Sequence, residues 1–489
     1  MKSCNEMTAD PESPIDRAAR VVLAESGTPG LAVTVVQGEA SFARGYGVAD
    51  CAPRNPVTGD TLFRIASATK SFTATALALL CDQGALAWDD PVRRFFPDFV
   101  CPAPHGADEL TIRDLLCHRS GFGWHDPLWY NSPWSRRALL DRIWRIGPAA
   151  TPRTRFLYSN VMYILASEIV AEVSGQSYEE FVRSRILNPL GMFASGFRPE
   201  LESGSARPFG RSRDGRVERI RQGSVDKANP ACGLACSAAD LAHWLRFQLR
   251  PGKAGGRTML SEKNHREMLL PHIPIRPEEA PRIYSFFGER TRLDCGLGWM
   301  LSDHHNWRVV SHTGVLPGYR AHIAVLPEAG LGVAVLANLN LTWATEALVY
   351  TLLDGCLGLP PKDWIGHFRL LAESWAQEAS QTAECSSKPA GKPAQALNAY
   401  AGTFVHFAYG DLKVRRSRQG LTLSWANYRG RLEPGSENRF YLRGLNCPLM
   451  PEPETVEYDV DARGRAQALT FVGQRFERRP ALKAKHAAQ

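Results

Sequence analysis

Strand-like runs stand at both ends of a long first section of this chain, and helical runs fill its middle. Residues 31–37 and 40–47 flank a Gly38-Glu39 turn and predict a hairpin. Far downstream, residues 308–311, 319–326 and 332–337 are separated by turn signals, the clearest being Pro327-Glu328-Ala329-Gly330. They predict neighbouring antiparallel strands. Between the two groups, helical patterns run over 67–84, 111–117, 136–146, 161–174, 178–187 and 238–249. Gly175 and Gly191 stand where helix ends belong. A sheet built from both ends of a section, with helices between, is an α+β layer architecture closed around a helical insertion.

The pattern changes after Trp375. Residues 376–396 hold Ser, Thr, Lys, Gly and Pro with little periodicity and read as a linker. Beyond it, short alternating runs at 400–404, 411–414, 421–425, 439–443, 456–460 and 468–472 predict a small antiparallel barrel or sandwich. The expected organisation is an N-terminal extension at 1–18, a main domain at 19–375, the linker, a small β domain at 397–480 and a tail at 481–489.

Several function classes lose their footing here. The net charge of +8 is modest for 489 residues, and the basic runs 413–416 and 478–479 are too short for a nucleic-acid surface. No run of 18 apolar residues occurs, so no membrane span is expected. The N-terminus lacks the apolar core of a signal peptide, and eleven scattered cysteines form no framework; both favour a cytoplasmic, thiol-reduced setting. Cys232 and Cys236 have no nearby His partner and read as small wall residues. His304 and His305 are adjacent on a strand and should face opposite ways, a poor metal pair. No metal and no cofactor are expected.

The chemistry centres on Ser67-Ala68-Thr69-Lys70 at a helix start. Positions i and i+3 share a helix face, so Lys70 can point at the Ser67 hydroxyl. A serine hydroxyl needs a base to become a nucleophile, and a lysine becomes one when burial or a positive field disfavours its charge. This pair alone is a common coincidence. Two further segments join it: Tyr158-Ser159-Asn160 before a helix, and His312-Thr313-Gly314 after a β-rich run.

The three segments, in this order and spacing, resemble the penicillin-recognising serine enzymes, a superfamily of class C β-lactamases, DD-peptidases, D-aminopeptidases, esterases and transacylases. Phe63-Arg64-Ile65-Ala66, the run Leu115 to Gly121 with His118, and Gly233-Leu234-Ala235-Cys236-Ser237 resemble flanking segments of the same family. The likeness covers roughly residues 20 to 360, and the tail from about 397 resembles a lipocalin-like β domain appended to some members. The resemblance implies a β-lactamase-like antiparallel sheet with flanking helices and a helical subdomain. It implies Ser67 as nucleophile and Lys70 with Tyr158 as the base, Tyr158 also serving the leaving group. Asn160, His312, Thr313 and Gly314 would support or bind substrate. The backbone N–H groups of Ser67 and Val315 would form the oxyanion hole. His118 is expected to bond loop backbone.

Histidine at 312 departs from the lysine of β-lactamases, which weakens that activity as an expectation. The first expectation is a serine hydrolase of a small ester or amide, including D-amino-acid peptides. The alternative is an acyltransferase or peptide cyclase, in which an amine or alcohol resolves the acyl-enzyme. A catalytically inactive binding protein is a third. The aromatic stretch 123–134, with Trp124, Trp129, Tyr130 and Trp134, would either line an acyl pocket or pack on the helical subdomain.

Overall fold

A computed structural model describes residues 13–51, 54–98, 109–197, 204–212, 214–287, 292–386, 391–444 and 454–480. The chain divides into two compact units, one of residues 1–125 with 147–374, the other of 126–146 with 375–489.

The first unit is built on a nine-stranded antiparallel sheet. Its central strands run in the order Met300–His304, Trp307–Leu316, Tyr319–Leu326, Leu331–Ala337, Gly30–Gln37 and Ala40–Cys51. The N-terminal strand therefore pairs with a late one, Leu31 opposite Ala337 and Val35 opposite Val333. Both faces are covered, so the central strands are buried at nearly every position and not at alternate ones. On one face Ile15, Ala19 and Val22 of the helix Pro14–Ser26, and Leu348, Val349 and Leu352 of Ala344–Leu357, pack into a single core with Val33, Val35 and Val333. Against the other lies Ala238–Leu249, whose Ala238 carbonyl accepts from Thr34 Oγ1 at 2.7 Å. The helices Thr69–Asp82, Asn160–Ser174 and Tyr178–Val182 cluster as a helical subdomain, with Thr73 Oγ1 and Tyr178 Oη 2.7 Å apart. Gly175 and Gly191 end their helices in the left-handed conformation.

The second unit holds a closed barrel of eight antiparallel strands in sequential order, Gly402–His406 to Gln474–Arg478. Phe404, Trp425, Tyr428, Phe440, Tyr458, Phe471 and Phe476 are buried in this unit, and aromatic ring contacts link them. Two strands escape the sequence pattern, Tyr428–Pro434 and Gln474–Arg478. Their outward positions are mostly charged and leave too few apolar residues to show a period.

Four expectations need correction. The segment 14–18 is part of a core-packing helix, not an extension; residues 1–12 lie outside the described residues, as does the tail 481–489. The linker begins as helix, because Trp364–Ser386 carries Ala, Glu and Gln without an internal Pro. The strand carrying His312 continues to Leu316, so His312-Thr313-Gly314 lies within it. From residue 126 onward the aromatic stretch belongs to the second unit and not to the one that holds the helical subdomain. Tyr428 donates to the Tyr130 carbonyl, Asn427 Nδ2 to Asn131 O at 2.8 Å and Arg142 to Ala408 O at 2.7 Å, while Trp134 leans on Trp425. The segment 126–146 is thus a wall of the barrel unit. Among the described residues no helix is long and apolar enough to cross a membrane.

Candidate active site

Residues 63–70 enter this site as a short strand, a tight turn and a helix. Phe63–Arg64 pairs with Ala235–Cys236, and Ile65 N–H donates to Leu234 O at 3.0 Å. Ala66 then takes φ +48, an unusual value for a residue with a side chain, and Ser67 follows on a 3-10 turn that runs into Thr69–Asp82. Lys70 is fully buried on the first turn of that helix.

The Lys70 ammonium nitrogen meets three acceptors: Ser67 Oγ at 3.3 Å, Asn160 Oδ1 at 2.6 Å and Ala231 O at 2.9 Å. Three acceptors match the three N–H bonds of an ammonium. The Tyr158 ring lies 4.9 Å from Nζ and the Tyr163 ring 5.2 Å. Sequence reasoning named Ser67, Lys70, Tyr158 and Asn160, and they meet here. It missed Ala231. That carbonyl comes from the π-turn Asn229–Gly233, immediately before the Gly233–Ser237 segment, where Leu234 N–H also donates to Thr69 Oγ1 at 3.2 Å. A backbone acceptor carries no side-chain signal in the sequence.

The strand Trp307–Leu316 runs directly against the 66–68 turn. A Cβ on Gly314 would lie 2.1 Å from Ile65 O and 3.0 Å from Ala66 Cβ. Only a glycine lets the two backbones come this close. His312 is buried beside this contact, its Nδ1 2.7 Å from Thr313 O, and Val315 is partly exposed one residue beyond Gly314. The bond to Thr313 O assigns the His312 proton to Nδ1, leaving Nε2 as an acceptor.

Burial, reinforced by the Lys70 charge, pushes His312 down to about 3. Burial first, then Lys70 and His312, holds His118 well below the usual histidine range. Burial alone takes His265 to about 4, and dominates in His322, also about 4. The unfolded chain binds protons on all four near pH 6.5, whereas the folded chain does so only at lower pH. Stability is therefore complete above about pH 6.5 and falls as pH drops toward 4, by up to ~1.4 kcal/mol per pH unit for each histidine. Urea midpoints at pH 7 and pH 5 check this. The midpoint should be lower at pH 5, and His312→Asn should flatten the slope; equal midpoints would contradict it.

His304 and His305 do not face opposite ways. His305 sits in the turn after the strand at φ +53, which breaks strand alternation, and the two ring centroids are 4.8 Å apart. With Asp354 their ligand atoms fall within 4.8 Å of one another. Both Asp354 oxygens already accept, from His304 Nε2 at 2.7 Å and Trp364 Nε1 at 2.6 Å, so the cluster is closed by its own hydrogen bonds. Cys117, Cys232, Cys236 and Cys295 are buried cysteines outside any disulfide.

Residues 386–484 match a domain of unknown function, DUF3471. The chain is 28% identical over 422 residues to unguisins hydrolase ungD of Aspergillus violaceofuscus, covering 79% of this chain and 73% of that protein. It is similar in structure to the D-amino acid amidase of Ochrobactrum anthropi SV3, at 25% identity and TM-score 0.57 over 75% of this chain and 100% of the amidase. The octameric penicillin-binding protein homologue of Pyrococcus abyssi shares its fold, at 23% identity and TM-score 0.60 over 94% of this chain and 98% of that one. The family description Beta-lactamase matches residues 15–353, most of the chain, and the protein belongs to that family.

Proposed function

We propose that this protein is a serine hydrolase that forms an acyl-enzyme on Ser67 and cleaves an amide or ester bond next to a D-amino-acid residue. The observation that carries the reading is the triple hydrogen bonding of Lys70 Nζ to Ser67 Oγ, Asn160 Oδ1 and Ala231 O. A buried cation fixed at one atom beside a serine hydroxyl is an arrangement for activating that hydroxyl.

In this reading Ser67 Oγ attacks the acyl carbonyl. Its proton passes to the Tyr158 phenolate, which the neighbouring Lys70 ammonium keeps ionised, and Tyr158 returns that proton to the leaving amine or alcohol. Asn160 fixes Lys70. The backbone N–H groups of Ser67 and Val315 hold the oxyanion, and Thr313 and Gly314 form the strand edge along which substrate lies. His312 offers a neutral acceptor at Nε2 in place of a charge. That favours uncharged amide or ester groups over the carboxylate that a lysine would attract. The D-residue preference rests on the amidase likeness, and the hydrolytic outcome on the hydrolase relative. Water then releases the acyl group.

Intact-mass measurement over a panel of D- and L-amino-acid amides, esters and acyl thioesters tests this. D-amino-acid substrates should leave a transient adduct that maps to Ser67 and is lost in Ser67→Ala. An adduct on another residue would refute the reading. Faster release to added amines than to water would make the protein an acyltransferase instead.

A further inference from the structure

We propose that His118 is a positioning residue for Tyr158, clamping the Leu157-Tyr158-Ser159 backbone and one face of the Tyr158 ring. This rests on the catalytic reading of Ser67, Lys70 and Tyr158 given above.

His118 reaches Tyr158 from three sides. Its carbonyl accepts the Leu157 N–H at 2.8 Å, and its Nδ1 accepts the Ser159 N–H at 3.1 Å. The two amides that flank Tyr158 in the chain therefore both end on one residue. The imidazole also lies over the phenol ring, with centroids 4.2 Å apart and planes tilted by 31°. Phe156 and Tyr163 close around the same imidazole at 5.6 and 5.4 Å. An Nδ1 that accepts carries no proton, so the ring proton belongs on Nε2. The ring is 1% exposed, and burial together with Lys70 keeps it neutral.

The clamp has a rigid base. The helix Ile112–Leu116 starts with a capping box between Thr111 and Asp114, and Asp114 is fully buried. Asp114 accepts from Arg119 Nε at 2.6 Å and from Arg153 Nη2 at 2.8 Å. Arg153 N–H in turn donates to Arg119 O at 2.7 Å. The chain on either side of the clamp is thereby tied to one carboxylate.

The backbone at His118 shows that the side chain is there for a reason. Two residues past the helix end it takes φ +59, a place usually filled by glycine or asparagine. Glycine would relieve the backbone but would supply neither the acceptor nor the ring. What the histidine adds is contact with Tyr158 and its neighbours. A phenol that takes the Ser67 proton must be held in one place, since misplacement by about 1 Å costs about 100-fold in rate.

The test uses the full-length protein and single-turnover acylation of Ser67 by an activated ester. His118→Gly should keep the fold, because glycine suits the backbone. It should slow acylation by about 100-fold and leave KM within about twofold. His118→Asn should recover at least about tenfold of that loss, because asparagine tolerates positive φ and its amide oxygen can accept from Ser159. In a Tyr158→Phe background, His118→Gly should have no further effect, since residues acting as one unit are not additive. Additive losses in that background, an Asn variant no better than Gly, or a Gly variant at the wild-type rate would each overturn the proposal. If Tyr158→Phe itself acylates normally, the catalytic reading fails and the clamp with it. If Tyr158→Phe is slow while His118→Gly is normal, only the clamp fails.

Discussion

Lys70→Met is expected to lower kcat/KM by roughly 10³- to 10⁴-fold while the protein stays folded. Methionine keeps the length and apolar volume of the lysine stem but removes the group that meets Ser67 Oγ, Asn160 Oδ1 and Ala231 O. The activity loss and the stability change have different causes and separate cleanly. Removing a buried charge relieves its desolvation. Leaving Asn160 Oδ1 and Ala231 O without the Lys70 donor costs about 1–3 kcal/mol each, so the two effects oppose one another in stability. Nothing replaces the positive charge beside Ser67 Oγ and the Tyr158 ring. Steady-state kinetics with a thermal melt on the same sample checks this. A drop of less than tenfold in a folded variant would remove Lys70 from the mechanism.

Gly314→Ala should damage both stability and turnover, although it adds one methyl group. The new Cβ would meet the Ile65 carbonyl oxygen at 2.1 Å, and backbone cannot swing aside as a flexible side chain can. The strand Trp307–Leu316 and the turn bearing Ser67 must then separate by about 1 Å, which costs about 100-fold in rate. Overpacking of this kind destabilises by about 3 kcal/mol. Gly355→Ala is the control. Gly355 is exposed in the helix Ala344–Leu357 with nothing within 4 Å of its would-be Cβ, and alanine there should stabilise by about 0.5 kcal/mol. Chemical denaturation of both variants gives opposite signs if the contact at Gly314 is what matters. Equal effects would show that it is not.

Much of this molecule was legible along the chain. The strands near residues 31–37, 319–326 and 332–337 announced themselves by apolar β-rich runs between turns. The helices at 136–146 and 238–249 showed their apolar faces at helical spacing. Ser67 with Lys70 was readable because three residues on a helix is a fixed local distance. What stayed hidden depends on contacts across sequence. Strand alternation misplaced His305, because a turn with positive φ lies outside any periodic pattern. The aromatic run left two readings open and named neither Trp425 nor Tyr428, because these partners lie almost 300 residues further on and apolar surface names no partner.

The sequence by itself determined the local chemistry: a serine and a lysine one helical turn apart, a Tyr-x-Asn before a helix, a His-Thr-Gly in β-rich surroundings, and a change of architecture after residue 375. Side-chain type and short-range periodicity carry that information directly. The tertiary structure alone decided that Lys70 shares its ammonium with the Ala231 carbonyl, that Gly314 lets a strand press on the Ser67 turn, and that His118 grips the amides on both sides of Tyr158. Each of these runs through backbone atoms, which every residue owns alike. No pattern of side chains records which backbone atom will meet which until the chain has folded.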